Sequence, residues 1–186
     1  MDDKQIQILK ASLKLFVKKG LHTVTFSQIA DEANVGMGTI YKYFKSKEDI
    51  VQQIWIWQKK HESEFIFKGF EPTDNVKEQF FILWKRVILY FIKNSLEFQF
   101  SYHFASSPIL TDKIHKVAMK DFLIFDDMFE KGIQQKLFKP LKARHLRLYT
   151  FSNVNGWILW AKDEKIQFSD ETINLFLTMA WDSIRK

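Results

Sequence analysis

The chain has 186 residues, which allows one domain or two small domains that share a core. It contains no cysteine, which excludes disulfides, thiolate catalysis and cysteine-based metal sites, and its formal net charge of +6 suits DNA, RNA or an anionic membrane. Hydrophobic residues make up 46% of the sequence and aromatic residues 16%, with 19 phenylalanines, so wholesale disorder is excluded and an unusually aromatic interior or pocket is predicted.

Neither a signal peptide nor a membrane-spanning helix is predicted. Asp2, Asp3 and Lys4 open a charged amphipathic run, which is unlike a secretory signal. The longest uncharged stretches, residues 98–111 and 148–161, are too short and too polar to span a bilayer. The absence of cysteine also suits a reducing compartment, so we expect a cytoplasmic protein.

The first predicted helix runs from Lys4 to Lys19, where apolar residues recur at helical spacing. Gly20 stands where a C-cap glycine belongs. Thr25 is a good N-cap for a second helix, because Gln28 follows three residues later as in a capping box. With a third helix, these two are predicted to enclose a core of Ile6, Leu9, Leu13, Phe16, Phe26, Ile29, Ala30, Val35, Ile40 and Phe44.

A tight turn at residues 34–36, with the sequence Asn-Val-Gly, is predicted to lead into a short third helix at residues 37–44. Asn and Gly both tolerate a left-handed backbone. Ile40 and Phe44 are four residues apart and face inward. The side chains left outside are Met37, Thr39, Tyr41, Lys42 and Tyr43. A helix that lies in a DNA groove needs such groups, because they reach base edges and phosphates.

The remaining predicted helices span residues 47–67, 76–94, 96–105, 109–137, 141–162 and 168–185. The segment 96–105 is ambiguous, since Phe98, Phe100, Tyr102 and Phe104 alternate with the period of a strand. We predict a helix there, because no other segment of the sequence could pair with a strand. Ser169 and the acidic residues after it are typical of a helix start.

No motif of an enzyme or a metal site is present. The sequence lacks a nucleophile elbow, a P-loop and a dinucleotide fingerprint. None of the five histidines forms a metal-ligand pair, and His61 with Glu64 is more simply a solvated ion pair. We therefore predict no catalytic residue, no metal and no cofactor.

The run from Thr25 to Lys47 resembles the DNA-binding segment of the TetR family of bacterial transcriptional regulators. The matching residues are Thr25, Ile29, Ala30, Ala33, Val35, Gly38, Thr39, Ile40, Tyr41, Tyr43, Phe44, Ser46, Lys47 and Glu48. Asn34 and Gly36 depart from the Gly and Ser that the family commonly has in this turn. Further along, the family often has a Gly about four residues after the position of Gly132, where this chain has Lys136, so the exit from that helix is expected to differ.

The resemblance implies a DNA-binding site on the second and third helices. In the family, positions matching Met37, Gly38 and Thr39 contact base edges and nearby phosphates, and those matching Tyr41, Tyr43 and Lys47 contact phosphates. Thr25 and Ser27 are placed for a phosphate and a base edge. Lys42 is exposed on the same helix and either touches a phosphate or keeps the surface soluble. For the tyrosines, packing against the fourth helix is the alternative.

The resemblance also implies an inducer cavity among the middle helices. Its aromatic walls would suit an apolar or acyl-chain-like ligand. The same aromatic residues could instead be ordinary core. The candidate ligand-binding residues are Trp84, Phe91, Phe98, Tyr102, Phe104, Phe122, Phe125, Phe129, Tyr149 and Asn153.

The last two helices carry more apolar surface than one small core needs, and the family uses them as a four-helix dimer interface. Such an interface is isologous, as a two-fold dimer requires. The candidate interface residues are Trp157, Trp160, Ile173, Phe176, Leu177, Ala180, Trp181 and Ile184.

Together these observations predict an all-α protein of about nine helices, with a helix-turn-helix head at residues 1–46 and a ligand-binding and dimerisation domain at residues 47–186. The predicted function is that of a homodimeric regulator, expected to be a repressor, that a hydrophobic small molecule releases from a near-palindromic operator. The alternative is a helical small-molecule or lipid-binding protein that no longer reads DNA. Salt-dependent binding to one duplex over scrambled competitors distinguishes the two.

Overall fold

The computed structural model describes all 186 residues and contains ten α-helices, which confirms the predicted all-α class. The helices are α1 Asp3–Lys19, α2 Phe26–Glu32, α3 Met37–Tyr43, α4 Lys47–Ile66, α5 Val76–Lys93, α6 Ser95–Phe104, α7 Asp112–Ala118, α8 Leu123–Gln134, α9 Ala143–Asp163 and α10 Asp170–Ile184. One isolated antiparallel bridge joins Phe138 to Arg185. No helix combines the length and the apolar character that crossing a membrane requires.

The chain forms two compact units. The first consists of residues 1–61 and 94–119, and the second of residues 62–93 and 120–186. The domain boundary predicted between residues 46 and 47 lies inside the first unit. The division into a DNA-binding domain and a ligand-binding and dimerisation domain stays a prediction.

In the first unit, helix ends follow the local chemistry of the sequence. The Asp2 side chain caps α1, and Gly20 ends it with a positive φ of 80°. Thr25 and Gln28 form the predicted capping box of α2. Asn34 takes the left-handed conformation, with φ 49°, that the turn prediction required. The ambiguous aromatic segment is helical as predicted, and α6 packs against α1.

The single helix predicted at residues 109–137 is wrong. Thr111 caps α7, which ends at Ala118, and a 3₁₀ turn at Lys120–Phe122 precedes α8. The break falls where the chain leaves the first unit for the second. Ala118 belongs to the first core, whereas the Phe122 ring lies 6.4 Å from Phe125 in the second.

In the second unit, the connector after α8 is held by close packing over Gly132. A Cβ at Gly132 would lie 2.1 Å from a ring carbon of Phe138, so only glycine leaves room for that ring. Lys136, where a glycine was the family expectation, nevertheless adopts φ 58°. The chain therefore leaves α8 through a residue in the left-handed conformation, and a lysine adopts this conformation less favourably than a glycine would.

Candidate nucleic-acid interface

Two backbone hydrogen bonds within the turn hold α3 at its angle to α2. Val35 donates to the Ala30 carbonyl at 3.0 Å, and Asn34 donates to the Asp31 carbonyl at 3.1 Å. Ile40 is fully buried, as is Phe44 directly after α3. Because these two side chains lie on one side of α3, the opposite side of this helix is turned to solvent.

The exposed side of α3 carries most of the predicted DNA-binding residues. Met37, Gly38 and Lys42 are exposed, and 58% of Tyr41 is accessible. Thr39 is half-buried. The structure thus brings these residues together on one short helix. The Tyr41 ring also packs edge-on against Phe26, with centroids 5.1 Å apart, so it joins α3 to α2 rather than extending freely.

Thr25 and Ser27 lie at the start of α2, and both are exposed. The Thr25 hydroxyl accepts a bond from the Gln28 amide at 3.3 Å, and the Gln28 side chain accepts one from the Thr25 amide at 3.0 Å. The Thr25 side chain is therefore fixed in direction by the cap that it forms.

Tyr43 has a partner that the sequence did not indicate. Its hydroxyl donates to Asp2 Oδ2 at 2.6 Å, and Asp2 Oδ1 accepts the Gln5 amide at 2.8 Å. The bond from Tyr43, followed by that from Gln5, lowers the pKa of Asp2, and the same contact raises the pKa of Tyr43. Lys42 Nζ lies 5.6 Å from the Tyr43 ring centroid.

Lys47 binds protein backbone in this structure. Its ammonium donates to the carbonyls of Leu21 at 2.8 Å, His22 at 3.3 Å and Val24 at 2.9 Å. An ammonium has three donors, so these bonds account for all of them. The contact ties the start of α4 to the connector between α1 and α2, a role that motif matching alone could not reveal.

Five of the predicted ligand-binding aromatics lie in the second unit and pack against other rings. Trp84 lies 4.9 Å from Phe125 between centroids, and Phe80 lies 6.4 Å from Phe129. The Trp84 indole nitrogen is buried without a hydrogen-bond acceptor. The five residues are Trp84, Phe91, Phe122, Phe125 and Phe129.

The other five predicted ligand-binding residues are placed elsewhere. Phe98, Tyr102 and Phe104 belong to α6 of the first unit, where Tyr102 is exposed and stacks on Phe98 at 6.4 Å. Tyr149 and Asn153 lie on α9, beside an open groove of about 480 Å³ that also borders Trp160 and Phe176.

Most of the predicted dimer residues are buried within the protomer. Trp181 is 6% exposed and lies 5.2 Å from both Phe80 and Phe138 between ring centroids. The Trp157 ring stacks on Phe176 at 4.5 Å. Trp160 alone of the eight is largely exposed. The other buried members are Ile173, Leu177, Ala180 and Ile184.

Comparison with known proteins identifies matches to both parts of the chain. A family model for bacterial regulatory proteins of the tetR family matches residues 8–54. A second, for the tetracyclin repressor-like C-terminal domain, matches residues 75–185, which is more than half of the chain.

Two curated relatives and two solved structures illustrate the similarity. An HTH-type transcriptional regulator of Haemophilus influenzae is 34% identical over 94 residues, which span 48% of this chain and 47% of that protein. The fatty acid metabolism regulator protein of Bacillus subtilis is 27% identical over 166 residues, which span 87% of this chain and 86% of the relative.

The solved structures share the fold over almost the whole length. A TetR family transcription regulator from Shewanella sp. PV-4 superposes with a TM-score of 0.89 at 19% identity, covering 100% of both chains. FadR from B. subtilis in complex with stearoyl-CoA has a TM-score of 0.77 at 22% identity, covering 94% of this chain and 96% of that one.

The contacts of Lys47 predict that its main effect is on stability. Replacing Lys47 with Met should lower the free energy of unfolding by about 1.5–3 kcal/mol, the range for hydrogen bonds to a charged group. Lys45→Met, an exposed neighbour, should change it by no more than about 0.5 kcal/mol. Chemical denaturation of both variants measures this. Unchanged stability in Lys47→Met, with a shallower salt dependence of duplex binding, would instead support the phosphate contact predicted from sequence.

Proposed function

This chain belongs to the TetR family of bacterial regulatory proteins and is a transcriptional regulator, and we propose that it represses by binding a near-palindromic operator as a homodimer that a hydrophobic small molecule releases. The observation that carries the proposal is the solvent-facing side of α3, where Met37, Gly38, Tyr41 and Lys42 are exposed opposite the buried Ile40. Its site of action is the cytoplasm, where the operator lies, and we assign the chain no catalytic role.

DNA binding follows from the chemistry of that side of α3. The major groove of DNA admits an α-helix, and the side chains of α3 combine a hydroxyl, a phenol and an ammonium. Thr39 is proposed to touch a base edge and Lys42 a phosphate. In a dimer, two such helices would reach half-sites about 34–36 Å apart, one turn of the duplex.

Two substitutions separate base reading from phosphate binding. Thr39→Ala should reduce the preference for the selected operator over a scrambled duplex by about 1–3 kcal/mol, because one base contact is lost. Lys42→Ala should weaken both duplexes alike and reduce the salt slope by about 0.9, since one phosphate contact is lost. Fluorescence anisotropy across a salt series measures both, on duplexes enriched from a random pool by the native protein.

Lys116→Ala, which removes an equal charge from the exposed surface of α7, is the matched control and should leave the salt slope unchanged. If Thr39→Ala and Lys42→Ala bind like the native protein while remaining folded, α3 is not the DNA-binding surface. A native protein that shows no preference for any duplex favours the alternative of a small-molecule-binding protein that does not read DNA.

Dimerisation is proposed through an apolar stripe on α9 and α10. Trp160 is 53%, Leu175 63% and Met179 61% exposed. Gly156 lies on the exposed side of α9, in the middle of the helix, with open space where a Cβ would be. A mid-helix glycine costs about 1 kcal/mol, which a second helix packed closely over it would offset. Exposed apolar area of this kind marks a contact surface.

The stripe predicts which substitutions yield monomers. Leu175→Glu combined with Met179→Glu should shift the protein to a monomer, because each charge would have to be buried in the interface. Asn174→Glu, on the same helix but beside the stripe, should leave the dimer intact. Sedimentation equilibrium of the three proteins decides it. A native protein that is monomeric at micromolar concentration contradicts the proposal directly.

The proposed ligand is a long-chain acyl compound in the second unit. A groove of about 430 Å³ is lined by Phe67, Lys120, Leu123 and other residues of that unit. Phe67 contacts Phe125 at 5.8 Å, and Phe125 contacts Trp84, so rings continue from the groove to the buried indole. Trp84 is buried, so an acyl chain that reached it would contact its ring by apolar packing.

The relatives support the acyl chemistry. One is described as a fatty acid metabolism regulator, and one similar structure holds stearoyl-CoA. An acyl chain suits the rings that continue inward from Phe67. A negatively charged head group would find Lys120 as the one cation of the groove, beside the acids Glu64, Asp121 and Asp127.

Stearoyl-CoA should raise the melting temperature and weaken operator binding about 5–150-fold, the usual range of coupling between sites. Coenzyme A alone should do neither. Trp84→Phe should bind the acyl ligand more weakly while retaining operator affinity without ligand. Thermal unfolding and operator titration with each compound test this. A compound that stabilises the protein yet leaves operator affinity unchanged would show a pocket without a switch, and no binding at all would leave the aromatics as core.

A further inference from the structure

Asp2 occupies a position at the edge of the proposed DNA-binding surface. It precedes α1, and its two carboxylate oxygens have separate partners. Oδ1 accepts the Gln5 amide at 2.8 Å, which caps the helix, and Oδ2 accepts the Tyr43 hydroxyl at 2.6 Å. The second contact joins residues 41 positions apart in the sequence, from the two ends of the three-helix head.

The contact with Tyr43 is not needed for the cap. One oxygen is enough to accept the Gln5 amide, and Asn caps a helix about as well as Asp does. A neutral side chain of the same shape would therefore preserve the start of α1. What Asp adds is a negative charge beside Tyr43 and Lys42, the last polar groups of α3.

A hydroxyl has one proton to donate. While Asp2 accepts it, Tyr43 cannot donate it to a DNA phosphate, and a phosphate that approaches Tyr43 also meets the charge of the carboxylate. Both effects oppose DNA binding at this point. They act on the backbone of the duplex, so they are the same for every sequence.

We propose that Asp2 limits the DNA affinity of this protein by competing with a backbone phosphate for the Tyr43 hydroxyl. The inference rests on the proposed function, because it requires that α3 bind DNA. Asp2 acts through Tyr43 and is thus a positioning residue, one that weakens binding to operator and random DNA alike. Its effect is to keep non-specific binding low while base contacts retain their full discrimination.

The test is Asp2→Asn. The Asn oxygen keeps the cap, and its amide donates to the Tyr43 oxygen, which frees the hydroxyl proton for a phosphate. Affinity for a short random-sequence duplex should rise about two- to fivefold, the range of a single exposed charge interaction. Asp3→Asn removes the same charge one residue later in the first turn of α1, where no capping bond is made. It should raise affinity less.

Tyr43→Phe, made in the native protein and in the Asp2→Asn variant, completes a double-mutant cycle. Without the Tyr43 hydroxyl, the gain in affinity from Asp2→Asn should shrink to that from Asp3→Asn. Circular dichroism confirms that helix content is retained. Equal gains from Asp2→Asn and Asp3→Asn, or no gain from Asp2→Asn, would overturn the inference alone. A native protein that binds no duplex at low salt would overturn the proposed function and this inference with it.

Discussion

The burial of Ile40 and Phe44 is the constraint on which the proposed mode of DNA binding depends. Both side chains are completely shielded in the core of the first unit. Because α3 has only seven residues, two such anchors leave it little freedom to rotate. The same anchoring decides which side chains face outward, so the chemistry presented to DNA follows from the packing beneath it. Two polar contacts support this arrangement: Asp2 joins the start of α1 to the end of α3, and Lys47 joins the start of α4 to the connector between α1 and α2.

Local chemistry made much of the first unit predictable. The Thr25 and Gln28 capping box and the left-handed Asn34 depend only on neighbouring residues, so the sequence was enough to place them. The break after Ala118 was not predictable in this way. No glycine or proline marks it, and Ala118 and Phe122 keep helical spacing. Only the packing of each residue into a different core separates them.

Long-range contacts account for the rest of what the sequence did not reveal. Trp181 is of a residue type that is common in interfaces, but Phe80 and Phe138 cover it inside the protomer. An amphipathic pattern shows that a helix face is covered and does not show by what. For the same reason, the aromatic residues of α6 could not be assigned to the first unit from their order in the chain. The Tyr43 and Asp2 pair, whose members are 41 positions apart in the sequence, left no local signal.

The composition of the first unit has a consequence for modularity. Phe100, Phe104 and Leu110 belong to the same core as Ile8 and Phe16, although 32 residues of the other unit intervene after His61. A fragment that stops at the end of the first stretch would expose the apolar side of α1 against which α6 packs. The helix-turn-helix head at residues 1–46 is thus not expected to fold as an independent domain. Any chimera that grafts it onto a different effector domain has to carry residues 94–119 as well, and evolution by exchange of whole domains faces the same restriction.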